Sequence, residues 1–247
     1  MTTALPRRLL AEFLGSALLA AVVIGSGIAA QHLSPGNVGL ELFENAAATA
    51  AGLYAILLVF GPVSGAHLNP VVSLIDAILG GLSWGDLAGY VPGQIGGCCA
   101  GAVLSNLMFS RGAVSLSTHH RSTGGHLLGE AIATAGLVLV AFTLARSARA
   151  ERTPSAVAAY IGAAYFFTSS TSFANPAIAI GRMLSNTFAG IAPSSVPLFI
   201  LAELGGGLVG LVLLRLLYPK FTAAAARSVT LPHDADRGIA QPVIEGA

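Results

Sequence analysis

Two tripeptides carry the chemistry open to this chain. Asn69-Pro70-Val71 and Asn175-Pro176-Ala177 each place a primary amide and a proline inside an otherwise apolar stretch. An asparagine side chain can cap a helix with its oxygen and still offer an N–H elsewhere. Proline suits the first helical turn, where its missing N–H would have had no partner. The other polar residues that stand out against apolar surroundings are Glu12, Glu130, His67 and Arg182. They do not compose an enzyme. The sequence offers no serine, histidine and carboxylate cluster, and no set of metal ligands beyond the scattered His32, His119, His120 and His126. No catalytic residue, metal or cofactor is expected, which leaves recognition by amide N–H groups and helix ends.

The elements that must position these residues are apolar. Of 247 residues, 54% are hydrophobic and 9% charged, and the mean hydropathy is +0.77. That charge is too sparse to dress a soluble domain of this size. The chain belongs in a bilayer. A net charge of +1 provides no basic field for nucleic acid, which is set aside as a partner. Cys98 and Cys99 are adjacent in an apolar run, a spacing that suits packing better than a disulfide framework or a zinc site. Arg7, Arg8 and the apolar run behind them imitate a signal peptide, but Glu12 interrupts the run and its length suits an uncleaved first span.

A spanning helix needs roughly 20 apolar residues. Six stretches qualify, at 8–30, 41–61, 87–109, 126–146, 154–172 and 195–218. The pieces beginning at Asn69 and Asn175 are too short, and are expected to form half-helices over 69–79 and 175–186 that start near the bilayer midplane. Arg7, Arg8, Arg146, Arg149, Arg152, Arg215, Lys220, Arg227 and Arg237 fall on one side if both termini are cytoplasmic, against Arg111, Arg121 and Arg182 on the other. The expected location is a bacterial inner membrane, with 221–247 a flexible cytoplasmic tail.

The chain is written twice. "LLAEFLGSALLA" (9–20) is echoed by "LLGEAIATAGLV" (127–138), and "GQIGGCCAGAVL" (93–104) by "AELGGGLVGLVL" (202–213). The repeats run over 1–110 and 126–220, joined by an external loop at 111–125. Each holds three spans and a half-helix, and an odd number of crossings turns the second copy upside down, so both Asn-Pro ends meet at the centre. Gly97/Gly101 and Gly206/Gly210 are spaced for close helix crossing. Glu12 and Glu130 should face inward and accept hydrogen bonds from the re-entrant backbone, a reading preferred to a proton relay.

"SGAHLNPVV" (64–72) and "FANPAIAI" (173–180), on six spans in two inverted halves, resemble the major intrinsic protein family, the aquaporins and aquaglyceroporins. The resemblance covers roughly 8–218. It implies an all-α membrane fold of six transmembrane helices and two re-entrant half-helices, a passive channel, and a homotetramer with one pore per subunit. Asn69 and Asn175 would orient a solute oxygen at the crossing of two half-helix dipoles, which repels cations and protons. Val71 stands where the family has alanine, a packing change. His67 should tie its loop to the loop's own backbone rather than act as a gate.

In most members of the family an arginine stands three residues after the second asparagine. Here that position is Ile178. Counting along the repeats gives the other filter positions as Thr49, Ala163 or Ala164, and Ser172 or Phe173. Such a constriction would be wide and nearly neutral. It resembles that of the bacterial aquaglyceroporins linked to arsenic resistance, which implies arsenite, methylated arsenicals, glycerol-like polyols and water as solutes. Arg182, one turn beyond Ile178, reads as an interfacial anchor or as a charge at the vestibule rim that recruits anions or partly replaces the missing filter arginine. The rival classes are a water-selective or glycerol-selective channel, a coupled secondary transporter and a structural junction protein. His119 and His120 lie in the external loop, where a solvated loop is expected over a pH-dependent lid.

Overall fold

The computed structural model describes residues 3–146 and 149–219. Lys220, Arg227, Arg237 and the expected tail at 221–247 lie outside the described residues. The elements are helices: α1 (Leu5–Leu33), α2 (Val38–Ser64), α3 (Pro70–Leu79), α4 (Trp84–Met108), α5 (Gly124–Arg146), α6 (Thr153–Phe167), α7 (Pro176–Arg182) and α8 (Val196–Leu217). Five of the described segments are long and apolar enough to cross a bilayer: α1, α2, α4, α5 through Leu144, and α8 with the short 3₁₀ turn before it. With α6 as a shorter sixth span and α3 and α7 as half-helices, they make an aquaporin-type fold in a multi-pass integral membrane protein. Large apolar side chains such as Leu18, Val59, Leu107, Leu201 and Leu216 are exposed on the outside of the bundle, the side lipid would cover.

The two halves repeat their packing. α1 lies on α2 and α4, α5 lies on α6 and α8, and α2 meets α6 across the halves. The crossings rest on glycines. A Cβ at Gly97 would strike the Phe13 carbonyl oxygen and one at Gly101 that of Ala17, while at Gly206 and Gly210 the obstacles are the carbonyls of Ala131 and Ala135. Each pair on one helix thus meets two carbonyls one turn apart on its neighbour, and a side chain would force the helices apart. Cys98 is buried in the first of these interfaces, with its thiol 3.6 Å from the Ser16 carbonyl, and Gly181 of α7 packs against it.

Two boundaries differ from the sequence expectation. The fifth span ends at Phe167 instead of running to 172. Thr168 returns both its N–H and its hydroxyl to the Ala164 carbonyl, Ser169 donates to Gly125, and Thr171 and Ser172 take positive φ. Hydroxyl side chains that bond backbone compete with helix, so 168–174 leaves α6 as an extended re-entrant loop. The second half-helix stops at Arg182 rather than 186. The carbonyls of Met183 and Leu184 are taken by Ser117 N, Ser115 N and the Asn106 side chain, which holds that segment against the loop before α5.

Candidate pore

Four stripes at helical spacing face one another inside the bundle: Leu19 and Val23 of α1, Thr49, Leu53 and Leu57 of α2, Leu137 and Ala141 of α5, and Val157, Ile161 and Tyr165 of α6. Residues four apart share a helix face, so each stripe is one wall. The re-entrant loops close the space with Ala66, His67, Leu68 and Asn69 from one half and Ser172, Phe173, Ala174 and Asn175 from the other; Val72, Ile178 and Arg182 complete the lining. The cavity volume, counted as the space open to centres of water molecules, is about 70 Å³. One water needs about 10–15 Å³ on that measure, so the space is a thread a few molecules long.

At its middle the half-helices are tied to each other. Asn69 Oδ1 accepts from Val71 N at 2.9 Å, and Asn175 Oδ1 from Ala177 N at 3.0 Å and Ile178 N at 3.4 Å. Each side-chain amide then crosses to the other half: Asn69 Nδ2 donates to the Ala174 carbonyl and Asn175 Nδ2 to the Leu68 carbonyl, both at 2.7 Å. A primary amide has two N–H bonds. One ties the halves and the second remains for the lumen. Pro70 and Pro176 fill the first turns that follow.

Buried carboxylates hold the loops. Glu12 accepts from His67 N and Leu68 N at 3.0 and 2.7 Å, from Ser64 Oγ at 2.6 Å and from Gln94 Nε2 at 2.7 Å. Glu130 accepts from Phe173 N and Ala174 N at 2.9 and 2.6 Å. Consecutive N–H groups can converge on one carboxylate because Ala66, Leu68, Ser172 and Ala174 adopt φ between 45° and 51°. Left-handed backbone at non-glycine residues costs about 1–3 kcal/mol each, which the charge-assisted bonds offset. Neither glutamate lines the cavity.

Several expected roles change. His67 ties its loop to side chains of α3: Nδ1 lies 3.0 Å from Ser73 Oγ and Nε2 3.5 Å from Asp76 Oδ2. Ala163 is exposed, and Ala164 is buried but outside the cavity lining. Tyr165 lines the cavity, with its hydroxyl 3.1 Å from Thr49 Oγ1. Seven residues lie between the end of α6 and Asn175, against four between α2 and Asn69, so the two re-entrant loops differ in length and a count along the repeats misplaces this wall. Ser172, Phe173 and Ile178 all line the cavity. Arg182 is neither an interfacial anchor nor a solvated rim charge: it is 1% exposed, lines the cavity, and lies with its guanidinium carbon 3.4 Å from the centre of the Phe173 ring. Its Nε donates to the Ala189 carbonyl. A lining expected to be nearly neutral therefore carries the cation of Arg182, and the phenol of Tyr165 besides the expected Phe173.

The sequence profile of the major intrinsic protein family matches residues 1–174. The chain belongs to that family. It is 45% identical over 211 residues to the aquaglyceroporin AqpS of Rhizobium meliloti (strain 1021), covering 85% of this chain and 90% of the relative. Human aquaporin-9 is 36% identical over 129 residues, 52% of this chain and 41% of that one. Among solved structures, the aquaglyceroporin from Plasmodium falciparum superposes with a TM-score of 0.70 at 18% identity, covering 87% of this chain and 98% of its own. That likeness concerns the fold. Membership makes the chain a channel-type membrane protein rather than an enzyme family member.

Three residues of this family member's core escaped the sequence reading. Gln94 and Ser73 bond each other beneath the first loop, at 2.9 Å. Glu203 of α8 accepts from Asn175 N at 2.9 Å and interacts with Glu130. The signal for Gln94 and Glu203 lay in the repeat itself, because "GQIGG" and "AELGG" align them.

Proposed function

We propose that the chain is a passive channel for small neutral solutes: glycerol-like polyols, undissociated arsenite and methylated arsenicals, and water. The observation that carries this reading is the division of the lumen wall. Asn69, Asn175, Thr49, Tyr165 and Ser172 offer hydrogen bonds on part of it, while Leu19, Val23, Leu53, Leu57, Val157, Ile161 and Ile178 present hydrocarbon. A polyol has an oxygen edge and a carbon edge, and such a wall meets both. As(OH)₃ is a neutral triol of similar form. The relatives support the polyol part: one is an aquaglyceroporin, and a 35% identical protein of Thermotoga maritima is a probable glycerol uptake facilitator, matched over 40% of this chain.

Among the described residues the cavity lining contains no aspartate or glutamate, which favours diffusion over ion-coupled transport. Filter roles are proposed for Thr49, Tyr165, Ser172, Phe173 and Ile178. Both termini are proposed to be cytoplasmic in a bacterial inner membrane, and the assembly a homotetramer with one pore per subunit.

The test is stopped-flow light scattering on proteoliposomes for water and glycerol, with arsenite uptake in parallel. Flux proportional to the solute gradient, insensitive to ionophores and well above empty vesicles, is the expected result. Flux that collapses with an ion gradient would indicate a coupled transporter, and no flux a structural role.

A further inference from the structure

Both half-helices repeat one relationship. Two residues before the pore asparagines stand His67 and Phe173, and seven after them stand Asp76 and Arg182. In the first half His67 meets Asp76 at 3.5 Å; in the second Phe173 lies under the Arg182 guanidinium at 3.4 Å. The fold thus returns the seventh residue of each half-helix to the side chain at the lumen edge of its loop. In the second half the returned group is a cation.

That cation is incompletely bonded. Arg182 is 1% exposed, and while Nε is held by Ala189, Nη1 has no hydrogen-bond partner among the described residues. Ser172, in the adjoining loop and also lining the cavity, has a buried Oγ without a partner. Arg121 approaches the same phenyl ring at 5.4 Å, but its Nε and Nη2 are committed to the Gly190 and Phe188 carbonyls. Buried polar groups are nearly always paired, so a charged donor and a hydroxyl left open on one lumen wall indicate a place for an oxygen ligand.

We propose that Arg182 supplies the selectivity cation of this pore from one helical turn beyond Ile178, and that Arg182 and Ser172 together bind a hydroxyl of the permeating solute. The solute oxygen accepts from Nη1–H, and its hydroxyl hydrogen goes to Ser172 Oγ; the Phe173 ring holds the guanidinium flat beside the path. The same charge, in a space excluded from bulk water, repels cations. The assignment rests on the channel function proposed above.

The experiment compares wild type, Arg182→Met, Arg182→Lys and the double variant Ile178→Arg/Arg182→Met in proteoliposomes, reading glycerol flux, water flux and K⁺ leak, with monodispersity in detergent as the folding control. Arg182→Met should admit K⁺ and lower the glycerol-to-water ratio about tenfold or more, the size of one charge-assisted hydrogen bond. Placing arginine at 178 in that background should restore K⁺ exclusion. Wild-type behaviour of Arg182→Met overturns the proposal, and so does a leak that arginine at 178 does not close, since that leak is structural damage. Should Arg182→Met fail to fold, Arg182→Lys decides: it should exclude K⁺ yet shift the glycerol-to-water ratio about tenfold, because its single ammonium cannot serve Ala189 and the lumen together; an unchanged ratio overturns the assignment. Wild type that passes no glycerol at all would instead defeat the channel reading.

Discussion

Gln94 and Glu203 occupy equivalent places in the two halves, and each faces the buried glutamate of its own half. Gln94 donates Nε2–H to Glu12 at 2.7 Å. Glu203 brings a second carboxyl to Glu130. Two carboxylates brought together inside a bundle repel each other, whereas the first half places an amide there. Glu203→Gln should therefore keep the contact to Asn175 N, donate to Glu130 as Gln94 does to Glu12, and leave the unfolding midpoint unchanged or raised. Glu203→Leu strands Asn175 N–H and should cost about 1–3 kcal/mol. Thermal unfolding in detergent separates them, and a glutamine variant as unstable as the leucine one contradicts the equivalence of Glu203 and Gln94.

Glu12 should respond in the opposite way. Its oxygens accept four hydrogen bonds, two from backbone N–H groups, one from Ser64 and one from Gln94. A glutamine there would turn its NH₂ toward a backbone N–H of His67 or Leu68, which can only donate. Glu12→Gln should lose about 2–4 kcal/mol, with at least one buried N–H left unpaired, and should reduce flux because the loop carrying Asn69 loses its anchor. If the same substitution at 12 proves milder than at 203, the bonding described for the two sites is wrong.

Val71 and Gly207 form a fitted pair. A Cβ on Gly207 would collide with Val71 Cγ1, so the absent side chain on α8 makes room for the branched one at the head of α3. Gly207→Ala should destabilise by about 1–3 kcal/mol through overpacking, and Val71→Ala in the same background should recover most of it. A double-mutant cycle should give a coupling of about 1–2 kcal/mol. Independent effects would mean that the loop, not the pair, absorbs the added methyl.

Much of this architecture was legible because bilayer physics leaves few alternatives. Apolar length located α1, α2, α4, α5 and α8, and an Asn-Pro pair heading a segment too short to cross located α3 and α7. The repeat pointed to Glu12 and Glu130, since a carboxylate inside a span needs donors, and the re-entrant backbone has them. What failed was metric. Hydrophobicity does not distinguish the last turn of α6 from the extended chain at 168–174, because threonine and serine are nearly neutral on both counts. That uncertainty of a few residues moved the expected wall residue from Tyr165, which lines the cavity, to Ala163 and Ala164. The stripe Val157, Ile161, Tyr165, spaced like Thr49, Leu53, Leu57, held the correct face. Arg182 was legible as a candidate but not its burial: seven residues past its asparagine it looked external, and only the turn at 183–190, which offers Ala189 to its Nε, folds it inward.

The loop before α5 gives a pH prediction outside the membrane. His119 donates its backbone N–H to Ser117 and its carbonyl accepts from Ala192 N at 2.7 Å, which pins it against the segment after α7. Burial lowers its pKa below the usual histidine value, and the Arg121 guanidinium lowers it further. The unfolded chain therefore binds a proton at His119 more readily than the folded one. Its contribution is complete above the free-histidine value of about 6.5 and is lost as pH falls through the lower folded value, so the unfolding midpoint should decline on acidification across that window. The effect should be small, because the ring is largely exposed. Arg121→Met should move the His119 titration, followed by NMR, part of the way back toward that of a free histidine, since burial is the larger cause and remains. A complete return would assign the shift to Arg121 alone, and no movement would mean that the guanidinium, engaged with the Phe188 and Gly190 carbonyls, does not reach the imidazole.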